Sequence, residues 1–121
     1  MKNFRDLKVW EKAHNLALDC YGITANFPKH EIFGIVSQIR RAGSSIGANI
    51  AEGCGRGGNG EFQRFLQMAM GSASELENHL LLARDLRFLN HENHSQIEVR
   101  VIEVNKMLAS LIKKVDAERH S

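Results

Sequence analysis

Gln38-Ile39-Arg40-Arg41-Ala42-Gly43-Ser44-Ser45-Ile46-Gly47-Ala48-Asn49-Ile50-Ala51-Glu52 decides the fold. Ile39, Ala42, Ile46 and then Asn49 or Ile50 recur three and four residues apart, and Ile32 and Ile35 extend the series upstream. A strand would alternate every second residue, whereas this spacing keeps one stripe of a helix apolar. A seam of that period is made to face another helix. The pattern predicts a helix over about 30–52, and the rest of the chain repeats it.

Upstream, a helix is predicted over about 6–26. Trp10, Ala13, Ala17, Cys20 and Thr24 form its stripe, widened by Leu16, Tyr21 and Ile23. Phe27-Pro28 ends it, because proline disfavours the helical state of the residue before it. Downstream, Gly53-Cys54-Gly55-Arg56-Gly57-Gly58-Asn59-Gly60 holds five glycines in eight residues and is read as a loop. A third helix follows over about 61–89, with Phe62, Leu66, Ala69, Ala73, Leu76, Leu80 and Ala83 on its seam. It would be about 40 Å long. A fourth over about 94–118 carries Ile97, Val101, Val104, Leu108, Leu111 and Val115, with Asn90 or Asn93 as its cap. Four striped helices with short connections imply one all-α domain spanning 1–121, an antiparallel up-down-up-down four-helix bundle.

Composition agrees and narrows the function. The 121 residues suffice for one domain, and 43% are hydrophobic, enough for a core. The net charge of +2 is small for a dedicated nucleic-acid module. It is uneven, however: residues 1–60 carry eight Lys/Arg against five Asp/Glu, while 61–121 carry eight against nine. No apolar run approaches a membrane span and no secretory leader is visible, so a cytoplasmic protein with Cys20 and Cys54 reduced is expected.

Some helices carry more apolar residues than a bundle seam needs. Phe33, Val36, Phe65, Met70, Leu81, Leu82, Ile102 and Ile112 lie off the main stripes. This surplus points to a second contact face between subunits. Gly43, Gly47 and Ala51 share one face of the second helix, where small residues let another helix cross closely. Asn49, polar among apolar neighbours, can fix register or oligomer state. Gly43, Gly47, Asn49 and Ala51 are therefore the candidate oligomer interface.

Catalytic and metal patterns fail. Gly53-Cys54-Gly55-Arg56-Gly57-Gly58 spells Gly-x-Gly-x-x-Gly but follows a helix, so a dinucleotide site is excluded and a flexible turn is the plainer account. A second account is a phosphate site: free loop N–H groups, Arg56 and Arg64 near a helix start. A di-iron bundle needs two Glu-x-x-His motifs, and Glu11-Lys12-Ala13-His14 supplies one. His91-Glu92-Asn93-His94 lacks zinc-protease spacing and falls where a loop is expected. Glu75 and His79, four apart, fit a surface pair. Ser44 and Ser45 have no neighbouring base to activate them. No enzyme activity and no cofactor are expected. Arg40 and Arg41 flank the seam and have two readings: salt bridges to Glu52, Glu75 or Glu77, or contacts to phosphate.

The sequence resembles the family of four-helix-bundle proteins encoded in 23S rRNA intervening sequences, which includes the accessory variability determinant of diversity-generating retroelements. The resemblance rests on Leu7-Lys8-Val9-Trp10-Glu11-Lys12-Ala13, on Phe27-Pro28 through Glu31-Ile32-Phe33-Gly34, and on Gln38-Ile39-Arg40-Arg41-Ala42. It continues at Ser45-Ile46, Asn49-Ile50-Ala51-Glu52-Gly53, Glu61-Phe62-Gln63-Arg64-Phe65-Leu66, Gly71-Ser72 and Glu75-Leu76. What it implies is a bacterial cytoplasmic protein that assembles as a homopentameric barrel, of a family for which no enzyme activity or cofactor is established. The retroelement relatives bind nucleic acid and partner with a reverse transcriptase, so the resemblance brings both into view as expectations. The resulting expectation is a homo-oligomer that binds structured RNA or DNA weakly through Arg40, Arg41, Arg56 and Arg64. The alternative is a structural or protein-binding adaptor, with the same arginines tied up in salt bridges.

Overall fold

Apolar stripes of period 3.6 become four helices in a computed structural model that describes residues 2–120. They are α1 (Lys8–Thr24), α2 (Ile35–Gly55), α3 (Asn59–Asp85) and α4 (His91–Arg119). Short 3-10 turns at Phe4–Asp6 and Lys29–Glu31 precede α1 and α2, and the described residues contain no strand. Each helix packs on its two neighbours in the order α1, α2, α3, α4 and back to α1, which is the bundle the sequence predicts.

The predicted seams of α3 and α4 fill the core. Phe62, Leu66, Ala69, Ala73, Leu76, Leu80 and Ala83 are buried opposite Ile97, Val101, Val104, Leu108 and Val115, with Leu111 half-buried. On α2 the seam passes through Ile50, fully buried, and not through Asn49, which is half-buried and donates its side-chain N–H to the Ser45 carbonyl at 3.0 Å. Ile32 lies ahead of α2 and is exposed. On α1 the core stripe is Val9, Ala13, Leu16, Cys20 and Thr24. Trp10 and Ala17, expected on that stripe, sit one residue off it and face α2. The surplus apolar residues divide: Val36 and Phe65 join the core, while Phe33 is 95% exposed and Leu82 and Ile102 are also exposed.

The predicted glycine-rich loop is mostly helix. α2 runs on through Gly53, Cys54 and Gly55, and α3 begins at Asn59, leaving 56–58 between them. Tertiary packing overrides local propensity there. A Cβ on Gly53 would stand 2.9 Å from the Phe65 Cβ and 3.1 Å from the Phe62 ring, so glycine permits the close α2–α3 approach that buries Cys54. Gly58, at φ 105°, makes the turn into α3, a conformation L side chains rarely adopt.

α3 stops at Asp85, short of the predicted 89. Arg87 takes a left-handed conformation at φ 67°, and the Phe88 N–H donates back to the Ala83 carbonyl at 3.0 Å. That closure satisfies carbonyls the helix end would leave open. α4 begins earlier than predicted because Asn90 is its cap, accepting from the Asn93 N–H at 2.7 Å. His91-Glu92-Asn93-His94 is thus the first turn of α4, with His94 buried, and not a loop.

Candidate nucleic-acid interface

The start of α3 gathers cationic side chains from three parts of the chain. Arg56, just beyond α2, and Arg64, on the second turn of α3, both lie over the Phe65 ring, with guanidinium carbons 5.1 and 4.6 Å from its centroid. Lys2 Nζ stands 5.1 Å from the Phe62 centroid, and its backbone N–H donates to the Cys54 carbonyl at 3.3 Å. From the end of α4, Arg119 donates to the Gln63 side-chain oxygen and lies beside Gly60. The Gln63 amide donates in turn to Asp116 at 3.2 Å. Two carboxylates temper the cluster: Arg64 donates to Glu61 at 2.7 Å and Arg56 to Glu52 at 3.3 Å. The hydrogen bond from Arg64 holds the Glu61 carboxyl below its usual range, and Glu61 raises the Arg64 guanidinium in return. The positive end of the α3 dipole and its first N–H groups lie at the same end of the helix as these cations. Such an end attracts anions.

The four arginines singled out in the sequence fall into three places. Arg56 and Arg64 share the Phe65 cluster. Arg40 is used inside the fold: its Nε donates to the Thr24 hydroxyl at 2.9 Å, and its guanidinium lies 4.7 Å from the Tyr21 centroid. Thr24 donates to the Cys20 carbonyl at 2.7 Å, so Arg40 sets a positive charge at the C-terminal end of α1, where the dipole favours it. Arg41 is exposed and lines a cleft between α2 and α3 together with Gln38, Ser45, Ser72, Glu75 and His79. It lies about 22 Å along α2 from Arg56. Neither Arg40 nor Arg41 pairs with Glu52, Glu75 or Glu77; Glu75 instead faces His79 Nε2 at 3.5 Å.

The small residues of α2 have a partner within the chain. A Cβ on Gly43 would meet Cys20 Sγ at 2.8 Å, and one on Gly47 would meet the Trp10 indole nitrogen at 3.5 Å. The helix that crosses Gly43 and Gly47 is therefore α1. Gly47 and Ala51 also line a groove of about 360 Å³ between α1 and α2, walled by Phe4, Trp10, Leu18 and Tyr21. Leu18 and Tyr21 are half or more exposed.

Among the described residues no three His, Cys, Asp or Glu side chains are placed to hold a metal ion, and no helix is long and apolar enough to cross a membrane. Both thiols are free and buried. Burial, helped by Asp19, pushes Cys20 up to about 12; burial also raises Cys54, against a smaller opposing effect of Lys2. Neither is poised as a nucleophile.

Sequence reasoning missed Lys2, Gln63 and Arg119, because contacts between the two chain ends and α3 leave no spacing signal. It also missed the α2–α3 cleft, although a signal existed. Gln38, Arg41 and Ser45 stand at i, i+3 and i+7, and so do Ser72, Glu75 and His79.

Among curated proteins, none matches. Among solved structures, a crystal structure of a protein of unknown function from the S23 ribosomal protein family of Bacteroides thetaiotaomicron is 31% identical, with a TM-score of 0.78. The match covers 87% of this chain and 98% of that one. Residues 5–110 match the family model described as 23S rRNA-intervening sequence protein. With nearly the whole bundle matched in sequence and in fold, the chain belongs to the 23S rRNA-intervening sequence protein family.

Proposed function

We propose that this protein is a non-enzymatic, homo-oligomeric bundle of the bacterial cytoplasm, assembling as a pentamer, that binds structured RNA or DNA weakly through phosphate contacts. The observation that carries the reading is the cluster at the start of α3, where Arg56 and Arg64 stack on Phe65 and Lys2 and Arg119 stand close by. Arginine over an aromatic ring presents donors to phosphate oxygens while its stem stays packed. Glu52 and Glu61 take part of that capacity, which is why the binding is weak. Arg41 adds a contact on the flank, and Arg40 supports α1. Where a retroelement encodes such a chain, a reverse transcriptase is the protein partner to test.

The test is a titration of the nuclease-treated protein with a structured rRNA fragment and a DNA duplex, at low and physiological salt, with light scattering for mass. Binding by a ring-sized species that weakens steeply with salt is expected. No binding at low salt by an intact oligomer would overturn it. The second reading, a protein-binding adaptor, draws on the apolar α1–α2 groove, whose exposed Leu18 and Tyr21 suit a protein surface better than a phosphate backbone.

A further inference from the structure

The cleft between α2 and α3 is built like a ligand site. Its volume is about 560 Å³, within the range of small-molecule sites. Gln38, Arg41 and Ser45 descend one wall on α2, Ser72, Glu75 and His79 the other on α3, and Ala42 forms the floor. Residues flanking a helix–helix seam ordinarily pair across it. Here they do not. Arg41 and Glu75, of opposite charge, line the same cleft without an ion pair between them, and among the described residues the Arg41 guanidinium has no hydrogen-bond or ion-pair partner. The His79 ring is only 15% exposed, and its Nδ1 is buried with no hydrogen-bond partner. Ser45 uses its proton on the Arg41 carbonyl at 2.6 Å, leaving its lone pairs free to accept.

The missing occupant must satisfy all of these groups together. It needs an anion for Arg41 and a hydroxyl donor for Glu75, beside the largely buried His79 ring. A phosphate joined to a ribose provides that set, because the 2′-hydroxyl both donates and accepts. Deoxyribose lacks the group that Glu75 would hold. We propose that this cleft takes one ribonucleotide unit, with its phosphate on Arg41 and its 2′-hydroxyl donating to Glu75, and so gives the protein a preference for RNA over DNA. The inference rests on the nucleic-acid reading above for its polymeric source; a free ribonucleotide carries the same chemistry.

The experiment uses the full chain and one hairpin sequence made as RNA and as DNA, titrated at low salt. In parallel, adenosine monophosphate and its 2′-deoxy form are titrated while the His79 imidazole resonance is followed by NMR. RNA is expected to bind about tenfold more tightly than DNA, the worth of one hydrogen bond to a charged group. Glu75→Ala, at an exposed helix position where alanine is a good helix former, should bring that ratio close to one without weakening DNA binding. If both polymers bind equally to the unsubstituted protein, or if the RNA preference survives Glu75→Ala, the cleft assignment fails while phosphate binding stands. Absence of binding by either polymer, with no His79 shift on adding either nucleotide, overturns both. A His79 shift with the ribonucleotide alone and no polymer binding would assign the cleft to the free ligand and overturn the polymeric source.

Discussion

Arg40 and Arg64 occupy similar-looking places in the sequence, each within two residues of an apolar seam on a long helix, yet the fold uses them oppositely. Around Arg40 everything is turned inward. The guanidinium reaches Thr24 and Tyr21, Thr24 closes onto Cys20, and Cys20 fills the space left by Gly43. Around Arg64 everything is turned outward: the side chain is exposed, its carboxylate partner lies one turn away on the same helix, and Arg56 shares its Phe65 ring. Charge of one sign can therefore serve packing in one region and recognition in another. What decides is whether a polar partner from a different helix lies within reach. Substitutions in the first region should damage stability and spare binding, and those in the second should do the reverse.

The largest break is expected at Gly43→Leu. Its first added carbon already falls 2.8 Å from Cys20 Sγ and 3.3 Å from Cys20 Cβ, both buried, so α1 must move away from α2. A loss of about 3 kcal/mol, near the upper end of overpacking costs, should appear in chemical denaturation. A variant as stable as the unsubstituted protein would mean that α1 does not rest on Gly43. The same contact has a pH signature. Cys20 is raised to about 12 from 9.0, so above pH 9 the unfolded thiol ionises while the folded one keeps its proton. Its contribution to stability is complete below 9.0 and declines as pH rises toward 12, by up to about 1.4 kcal/mol per pH unit. Cys20→Ala should flatten that alkaline decline, and the native thiol should resist thiol reagents at neutral pH.

Arg40→Ala comes next, with an expected loss of about 1–2 kcal/mol for one charge-assisted hydrogen bond and one cation–π contact. Affinity for RNA should stay unchanged. Weaker RNA binding with normal stability would move Arg40 into the second region and erase the contrast.

How much of this contrast could be read beforehand depends on the range of the contacts. The bundle was legible because helix seams are local patterns: the buried residues of α3 are the seven expected ones together with Gln63 and Phe65. The glycine-rich stretch misled because five glycines argue against a helix locally, while the tight α2–α3 contact at Gly53 requires one. Trp10 and Ala17 were placed one position off because Gly47 offers the indole a seat that periodicity alone does not show. At the candidate interface, Arg56 and Arg64 were legible as charges beside a helix start. The placing of Lys2 on Phe62 and of Arg119 on Gln63 was not, since each joins residues more than fifty positions apart in the chain.

Arg87 gives a smaller effect at a neutral site. It holds a left-handed conformation that glycine adopts without strain, at the opposite end of α3 from Arg64. Arg87→Gly should raise stability by about 0.5–1 kcal/mol and leave binding intact, read as a higher denaturation midpoint. A fall would mean that the Arg87 side chain makes a contact worth more than the relief of its backbone.

The smallest effect on stability, and the sharpest on binding, belongs to Arg56 and Arg64. Both are exposed, each pairs with a carboxylate on its own helix or at its end, and each lies over Phe65, so replacement by alanine should cost no more than about 0.5 kcal/mol, the low end of an exposed cation–π contact. Each substitution should lower the slope of log affinity against log salt by about one, the counterion release of one lost phosphate contact. Glu61→Gln should act in the opposite sense. The Glu61 carboxyl is held low by Arg64 and stays charged at any pH used for binding, so its removal frees the Arg64 guanidinium for phosphate. Tighter binding in Glu61→Gln together with weaker binding in Arg64→Ala would place the contact on that guanidinium. An unmoved salt slope in Arg56→Ala and Arg64→Ala would leave the α3 end as a packed surface like the Arg40 region, and the adaptor reading would take its place.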